Sequence, residues 1–234
     1  MDGEMLTLAF DTATEMCTVA LGNESGLLVS IDLLAPRAHL EKLLPLAQQA
    51  LELTGRAQSE IEAIAVGVGP GSLTGVRIGV TTARSLAQAL EVPCIGVSTL
   101  EVLAAAFSRS GALVCALIDA RRGEIYPGLY DCSGTRPRML GEHRSIGLDE
   151  LIGELEKHDR VVLSGDALVT YGDELAERLG DRVRLAPREQ WYPKAADLLP
   201  LAGRDLEAGA GDYRDVRPIY TRLSDAEEAE AARR

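Results

Sequence analysis

The sequence predicts a mixed α/β fold built as two halves, and three observations carry that prediction. Short apolar runs alternate with segments of helical periodicity along most of the chain, the pattern of sheets flanked by helices. A glycine-rich loop, "GVGPGSLTG" at 67–75, joins one such run to a helix. The stretch "ALVCALIDARRGEIYPGLYD" at 112–131 then restarts the pattern of the N-terminus, with strand, aspartate, turn and strand in the same order.

The elements arise from local pattern. "MLTLAFDTAT" alternates and then runs apolar into Asp11, and "CTVALGN" and "GLLVSIDLL" make second and third strands of a meander across the turn-like "GNESG". "HLEKLLPLAQQALELTG" has helical periodicity and stops at Gly55, a natural left-handed C-terminal residue, while Pro45 predicts a kink or a start near that point. "IEAIAVGVG" reads as a buried strand, 74–90 as a helix capped by Ser72 or Thr74, "VPCIGV" as a strand, and "STLEVLAAAF" as a helix capped by Ser98 or Thr99. In the second half, "RVVLSGDAL", a helix to about 179, "RVRLAP" and "ADLLPLAGRDLEAG" continue the alternation. The acidic end, "SDAEEAEAARR", reads as a solvated helix or a frayed tail.

Bulk properties narrow the function. The 234 residues are 46% hydrophobic, ample for a packed core, and the net charge of −12 argues against an autonomous grip on a phosphate backbone. Any nucleic acid would be held mostly by a partner. Cys17, Cys94, Cys115 and Cys132 are widely spaced and read as buried reduced thiols. No leader pattern or membrane-length apolar run is visible, so the expected compartment is the cytosol.

The glycine loop fails the tests for familiar phosphate motifs. A phosphate-binding loop of the Walker type needs Lys and Ser/Thr after its last glycine; here Val76 stands after Gly75, and the lysines are Lys42, Lys157 and Lys194. A dinucleotide fingerprint needs a third glycine where Ser72 or Thr74 stands, and a nucleophile elbow around Ser72 would need glycines at Pro70 and Thr74. The expected role is a tight turn into a helix that serves packing and assembly. On that helix Gly75, Gly79, Ala83 and Ala87 form one i, i+4 ridge of small side chains, which suits close helix approach. On the preceding helix Leu40, Leu43, Leu44, Ala47 and Leu51 form one apolar stripe, and Leu46, Ala50 and Leu53 another. Together the stripes are wider than one sheet requires, leaving two readings: burial within the chain, or a surface for partner helices.

The segments "LTLAFDTAT", "HLEKLLPL", "GVGPGSLTGVRIGVTTARSLA", "GVSTLEVLA", "DARRGEIY" and "RPIYTR", in order across nearly the whole chain, resemble the TsaB (YeaZ) family. The resemblance implies two RNase H-like subdomains of the actin, sugar-kinase and Hsp70 superfamily, at 1–108 and 109–222, with an acidic tail at 223–234. It implies a non-catalytic scaffold subunit, a homodimer when alone, that pairs as a heterodimer with the TsaD transferase subunit and supports docking of the TsaE ATPase. That machinery places threonylcarbamoyl on adenosine 37 of tRNAs reading codons that begin with A, with tRNA held mainly through the complex. The expected partner interface comprises His39, Leu40, Leu43, Leu44, Ala47, Leu51, Gly75, Gly79 and Ala83. ATP and metal are expected on the partner subunits, and no cofactor in this chain.

Residue chemistry points the same way. The catalytic paralogue holds metal with histidines at i, i+4, but His39, His143 and His158 have no such spacing, and Leu43 stands four after His39. Superfamily nucleotide sites use an Asp-x-Gly turn in each half. Here Asp11, Thr12, Ala13 and Thr14 form the first turn, and Asp119, Ala120 and Arg121 the second, so alanine and arginine replace the glycines. Asp11, Thr12, Thr14 and Asp119 are therefore expected to be a vestigial nucleotide site. The rivals are an active superfamily ATPase or kinase, motivated by the two aspartates, and a peptidase, which lacks any visible Ser/His/Asp or metal spacing.

Overall fold

A computed structural model describes residues 5–220; the tail expected at 223–234 lies outside them. In chain order the elements are β1 (Thr7–Asp11), β2 (Met16–Asn23), β3 (Gly26–Leu34), α1 (His39–Thr54), β4 (Ala63–Gly67), α2 (Leu73–Leu90), β5 (Cys94–Val97) and α3 (Thr99–Ala105). The second half comprises β6 (Leu113–Arg121), β7 (Glu124–Asp131), β8 (Arg138–Met139), β9 (Ile146–Gly147), α4 (Leu148–Leu155), β10 (Val161–Ser164), α5 (Leu168–Leu179), β11 (Val183–Leu185) and α6 (Ala195–Glu207).

The two sheets repeat one topology. The first runs β3-β2-β1-β4-β5 and the second β8-β7-β6-β10-β11, with β9 also on β7. In each, the first three strands form an antiparallel meander and the last two lie parallel beside the first strand. A parallel partner needs a crossover, which α1 supplies in the first half and α4 in the second.

Side-chain size decides how the layers pack. One face of the first sheet carries Leu8, Phe10, Val19, Leu21, Ile64 and Val66, buried beneath Leu43, Leu46 and Ala50 of α1 and Val76, Val80 and Ala83 of α2. The other face carries Ala9, Ala20 and Ala65, small enough for α6 to bury Leu198, Leu201 and Ala202 against it. The second sheet buries Cys115, Leu117, Ile125 and Leu163 with Leu151, Leu155, Leu168 and Leu175 of α4 and α5. All four cysteines are free and buried, and burial pushes the Cys17 thiol up to about 11.

Three expectations change. The grouping of 109–222 as one subdomain does not match the packing at its end: α6 covers the first sheet, and Ile219 donates its backbone N–H to Val68 O at 2.8 Å. The chain therefore crosses back after the second sheet is complete. Helix α1 starts at His39 and continues through Pro45 rather than starting there, ending at Gly55 in the left-handed region as expected. Helix α4 has no counterpart among the expected elements, although Leu148, Leu151, Ile152 and Leu155 have helical spacing.

Candidate functional site

The glycine loop packs backbone against backbone on the first aspartate turn. A Cβ at Gly67 would sit 1.7 Å from Asp11 Oδ2, one at Gly71 2.4 Å from Ala13 O, one at Gly75 2.1 Å from Thr12 O, and one at Gly79 2.5 Å from Thr12 Oγ1. Gly75 and Gly79 of the small ridge thus meet turn 11–14, while Ala83 and Ala87 lie in the core cluster that also holds Leu43, Ala47 and Ala50 of α1. Ser72 caps α2, its Oγ accepting from Gly75 N at 3.3 Å, and Thr12 donates its hydroxyl to Gly75 O at 2.8 Å.

Asp11 is sealed at the centre of this contact. It has no exposure; Oδ1 accepts from Ala13 N at 2.7 Å and Oδ2 from the Thr99 hydroxyl at 2.8 Å. Thr99 in turn accepts from Gly69 N at 3.1 Å, tying β1, the glycine loop and α3 together. Burial pushes the Asp11 carboxyl up to about 6, opposed by the Ala13 and Thr99 hydrogen bonds. A carboxylate so enclosed offers no face to a phosphate or a cation.

Asp119, its counterpart near the end of β6, borders an open cleft. Its Oδ1 accepts from Arg121 N at 2.7 Å, and its own N–H donates to Asp166 Oδ1 at 2.9 Å. Arg121 reaches across the halves to Glu15 Oε1 at 3.1 Å while holding Asp119 Oδ2 at 3.3 Å. Burial, together with the Asp119 charge, moves the Asp166 carboxyl up to about 7, against the pull of the Asp119 amide and Arg121.

This cleft between the halves has a volume of about 1030 Å³. Thr14, Glu15, Arg37, His39, Leu40 and the 71–76 segment line its first-half wall, and Asp119 to Arg122, Tyr126 and Asp166 the other. Tyr220 closes the rim, accepting a hydrogen bond from Arg77 Nε at 3.0 Å. His39 is buried, with Nε2 2.8 Å from Thr14 O.

The expected interface set divides by burial. Leu43, Ala47, Leu51, Gly75, Gly79 and Ala83 are buried in this chain, facing its own sheet and turn, so they are corrected to core positions. His39 is buried beside them. Leu40 and Leu44 remain outside, 76% and 52% exposed, and Leu73 at the start of α2 adds a third exposed leucine on the same cleft wall as Leu40. Of the expected nucleotide residues, Thr12 and Thr14 are buried with Asp11, and Thr14 and Asp119 line the cleft. Sequence reasoning missed Glu15, Arg37 and Leu73 on the cleft wall; Glu15 meets Arg121 of the other half, a contact no local pattern reveals. Among the described residues no helix is long and apolar enough to cross a membrane.

Known proteins resemble this chain in sequence and in fold. Residues 33–229 match the family model described as TsaD, tRNA N6-adenosine threonylcarbamoyltransferase. The tRNA threonylcarbamoyladenosine biosynthesis protein TsaB of Escherichia coli strain K12 is 38% identical over 225 residues, covering 93% of this chain and 95% of that protein. The solved structure of YeaZ from Pseudomonas aeruginosa superimposes with a TM-score of 0.79 at 34% identity, over 92% of this chain and 99% of that one. The ROK hexokinase of Thermus thermophilus, at 15% identity and a TM-score of 0.51, shares the fold over 86% of this chain and 100% of that one.

Proposed function

The chain belongs to the TsaB (YeaZ) family, and from that premise we propose that it serves tRNA threonylcarbamoyladenosine biosynthesis as a non-catalytic subunit. In this reading it pairs with a TsaD-type transferase subunit, supports docking of a TsaE-type ATPase, and self-associates through the same surface when alone. Asp11, Thr12, Thr14 and Asp119 are the remains of a nucleotide site, and catalysis, metal and ATP belong to the partners.

The observation that carries this reading is the exposed leucine surface of Leu40 and Leu44 on α1 with Leu73 at the start of α2. Apolar side chains clustered at two helix starts, on a chain of net charge −12, are what an obligate partner surface requires. The sealed carboxylate of Asp11 supports the absence of catalysis, because a superfamily ATPase needs that group free for magnesium or water. The competing reading, an active ATPase or kinase, draws on the open Asp119 and Asp166 pair.

Light scattering on the chain alone and mixed with the TsaD-type subunit tests the proposal. The expected result is a homodimer that gives way to a one-to-one heterodimer, with no ATP turnover by this chain alone. Turnover abolished by Asp119→Asn would establish the competing reading.

A further inference from the structure

We propose that β3, the open edge of the first sheet, pairs antiparallel with β3 of a second copy of this chain, in a two-fold register centred on Ile31. The contact is separate from the leucine surface of α1 and α2 and weaker than it.

Of the four edges that the two sheets present, this one stands apart. β3 is nine residues long, and among the described residues its backbone pairs with β2 alone. At the other edge of the same sheet the returning chain covers β5, where Cys94 N donates to Gly211 O at 2.8 Å. The second sheet ends in β8 and β11, only two and three residues long. Exposed edges are ordinarily blunted by brevity, lysine or proline, and β3 has none of these. It carries one charge, at Asp32, while Leu27, Leu28 and Leu34 are 53%, 43% and 55% exposed.

Charge and pattern identify the occupant. A second copy brings the same net charge of −12, so it is accepted only on a surface poor in acidic groups. Over 28–34 the sequence LVSIDLL reads apolar, apolar, polar, apolar, polar, apolar, apolar, which is the same in both directions about Ile31. Antiparallel pairing on that centre sets Ile31 against its own copy, Ser30 against Asp32, Val29 against Leu33 and Leu28 against Leu34. Val29, Ile31 and Leu33 already pack against the core that α1 covers, so pairing extends that apolar layer from one copy to the next.

Other centres are worse. Moving the centre to Ser30 sets Asp32 against Leu28, and moving it to Asp32 sets that carboxylate against its own copy. The bulge in β3 opposite Leu21 and Gly22 confines regular pairing to 29–33. So short a pairing between two acidic chains is weak, and salt strengthens it by screening their repulsion. At low ionic strength and low concentration the leucine surface alone sets the mass.

Sedimentation equilibrium of the full chain, at low salt and at about 0.5 M sodium chloride, tests the pairing. The native chain is expected to gain mass in high salt beyond its low-salt state, with association tightened by about tenfold. That comparison holds whether the low-salt state is a dimer or, should the leucine surface fail as an interface, a monomer. Leu28→Lys with Leu34→Lys sets like charges opposite one another at exposed positions and should abolish the gain. Leu28→Lys with Leu34→Glu sets opposite charges across the same register and should restore it, with circular dichroism confirming both folds. No gain by the native chain, a gain that survives the two lysines, or one lost equally with lysine and glutamate would overturn the pairing. A gain that appears only when the chain is cut after Tyr220 would assign the edge to the chain's own end instead.

Discussion

The two aspartate turns occupy equivalent places in two sheets of the same topology, yet one is closed and the other open. Asp11 is enclosed by Ala13 N, the Thr99 hydroxyl and the flush backbone of Gly67, whereas Asp119 borders a cleft with Asp166 and Arg121. The difference lies in the helix that leaves the parallel strand beside each turn. In the first half α2 brings Gly75 and Gly79 onto the turn, whereas in the second half the close approach is made before α5, at Gly165 against Leu117 O, and Gly172 within α5 makes only ordinary contacts. Two sheets of one topology thus carry one enclosed aspartate and one on an open charged wall.

The same substitution in equivalent helices should break this comparison most visibly. Gly75→Ala drives a Cβ into backbone carbonyl Thr12 O and should destabilise by about 3 kcal/mol or more, read as a lower urea midpoint. Gly172→Ala meets only Leu185 and Leu168 side chains at 3.5 and 3.6 Å, and should stabilise by about 0.5–1 kcal/mol through helix propensity. Equal effects at the two sites would remove the distinction between a packed and a relaxed half.

Protonation separates the turns next. The Asp11 carboxyl is raised from 3.8 to about 6, so between those values the native chain holds a proton that the unfolded chain has lost. Stability therefore falls as pH rises through that window, by on the order of 3 kcal/mol from this group. Asp11→Asn should flatten that part of the profile of urea midpoint against pH. For Asp166, raised to about 7, the same sign holds and the decline continues to higher pH, so Asp166→Asn should flatten the later part. A native profile that rises from pH 4 to 6 would contradict the sealed site.

What the sequence reveals depends on whether a feature is local. The meander, the glycine loop, the stop at Gly55 and the restart at Ala112 are set by residues close in sequence, and each appears where periodicity and turn chemistry place it. Burial of the α1 stripe is different. Helical spacing groups Leu40, Leu43, Leu44, Ala47 and Leu51, but the chain covers only part of that arc, leaving Leu40 and Leu44 outside while Leu43, Ala47 and Leu51 go under. The return of α6 to the first sheet was equally hidden, because alanines at 9, 20 and 65 reveal a close helix only once their common face is known. At the site, Asp11 and Asp119 were legible as a pair, but not that one is closed. The pairing of Glu15 with Arg121 and of His39 with Thr14 O depends on contacts between distant segments.

The smallest expected change in stability comes with the largest expected change in assembly. Leu40→Asp combined with Leu44→Asp alters exposed positions and should shift stability by no more than about 1 kcal/mol. Val169→Asp, on α5 of the second half and 65% exposed, is the matching control. The decisive measurement is the light-scattering mass of both variants, alone and mixed with the TsaD-type subunit, with circular dichroism confirming the fold. The account predicts a monomer that fails to pair for the α1 variant and unchanged association for Val169→Asp. A folded α1 variant that still forms the homodimer and the heterodimer would contradict the assignment of the α1 and α2 leucine surface to assembly.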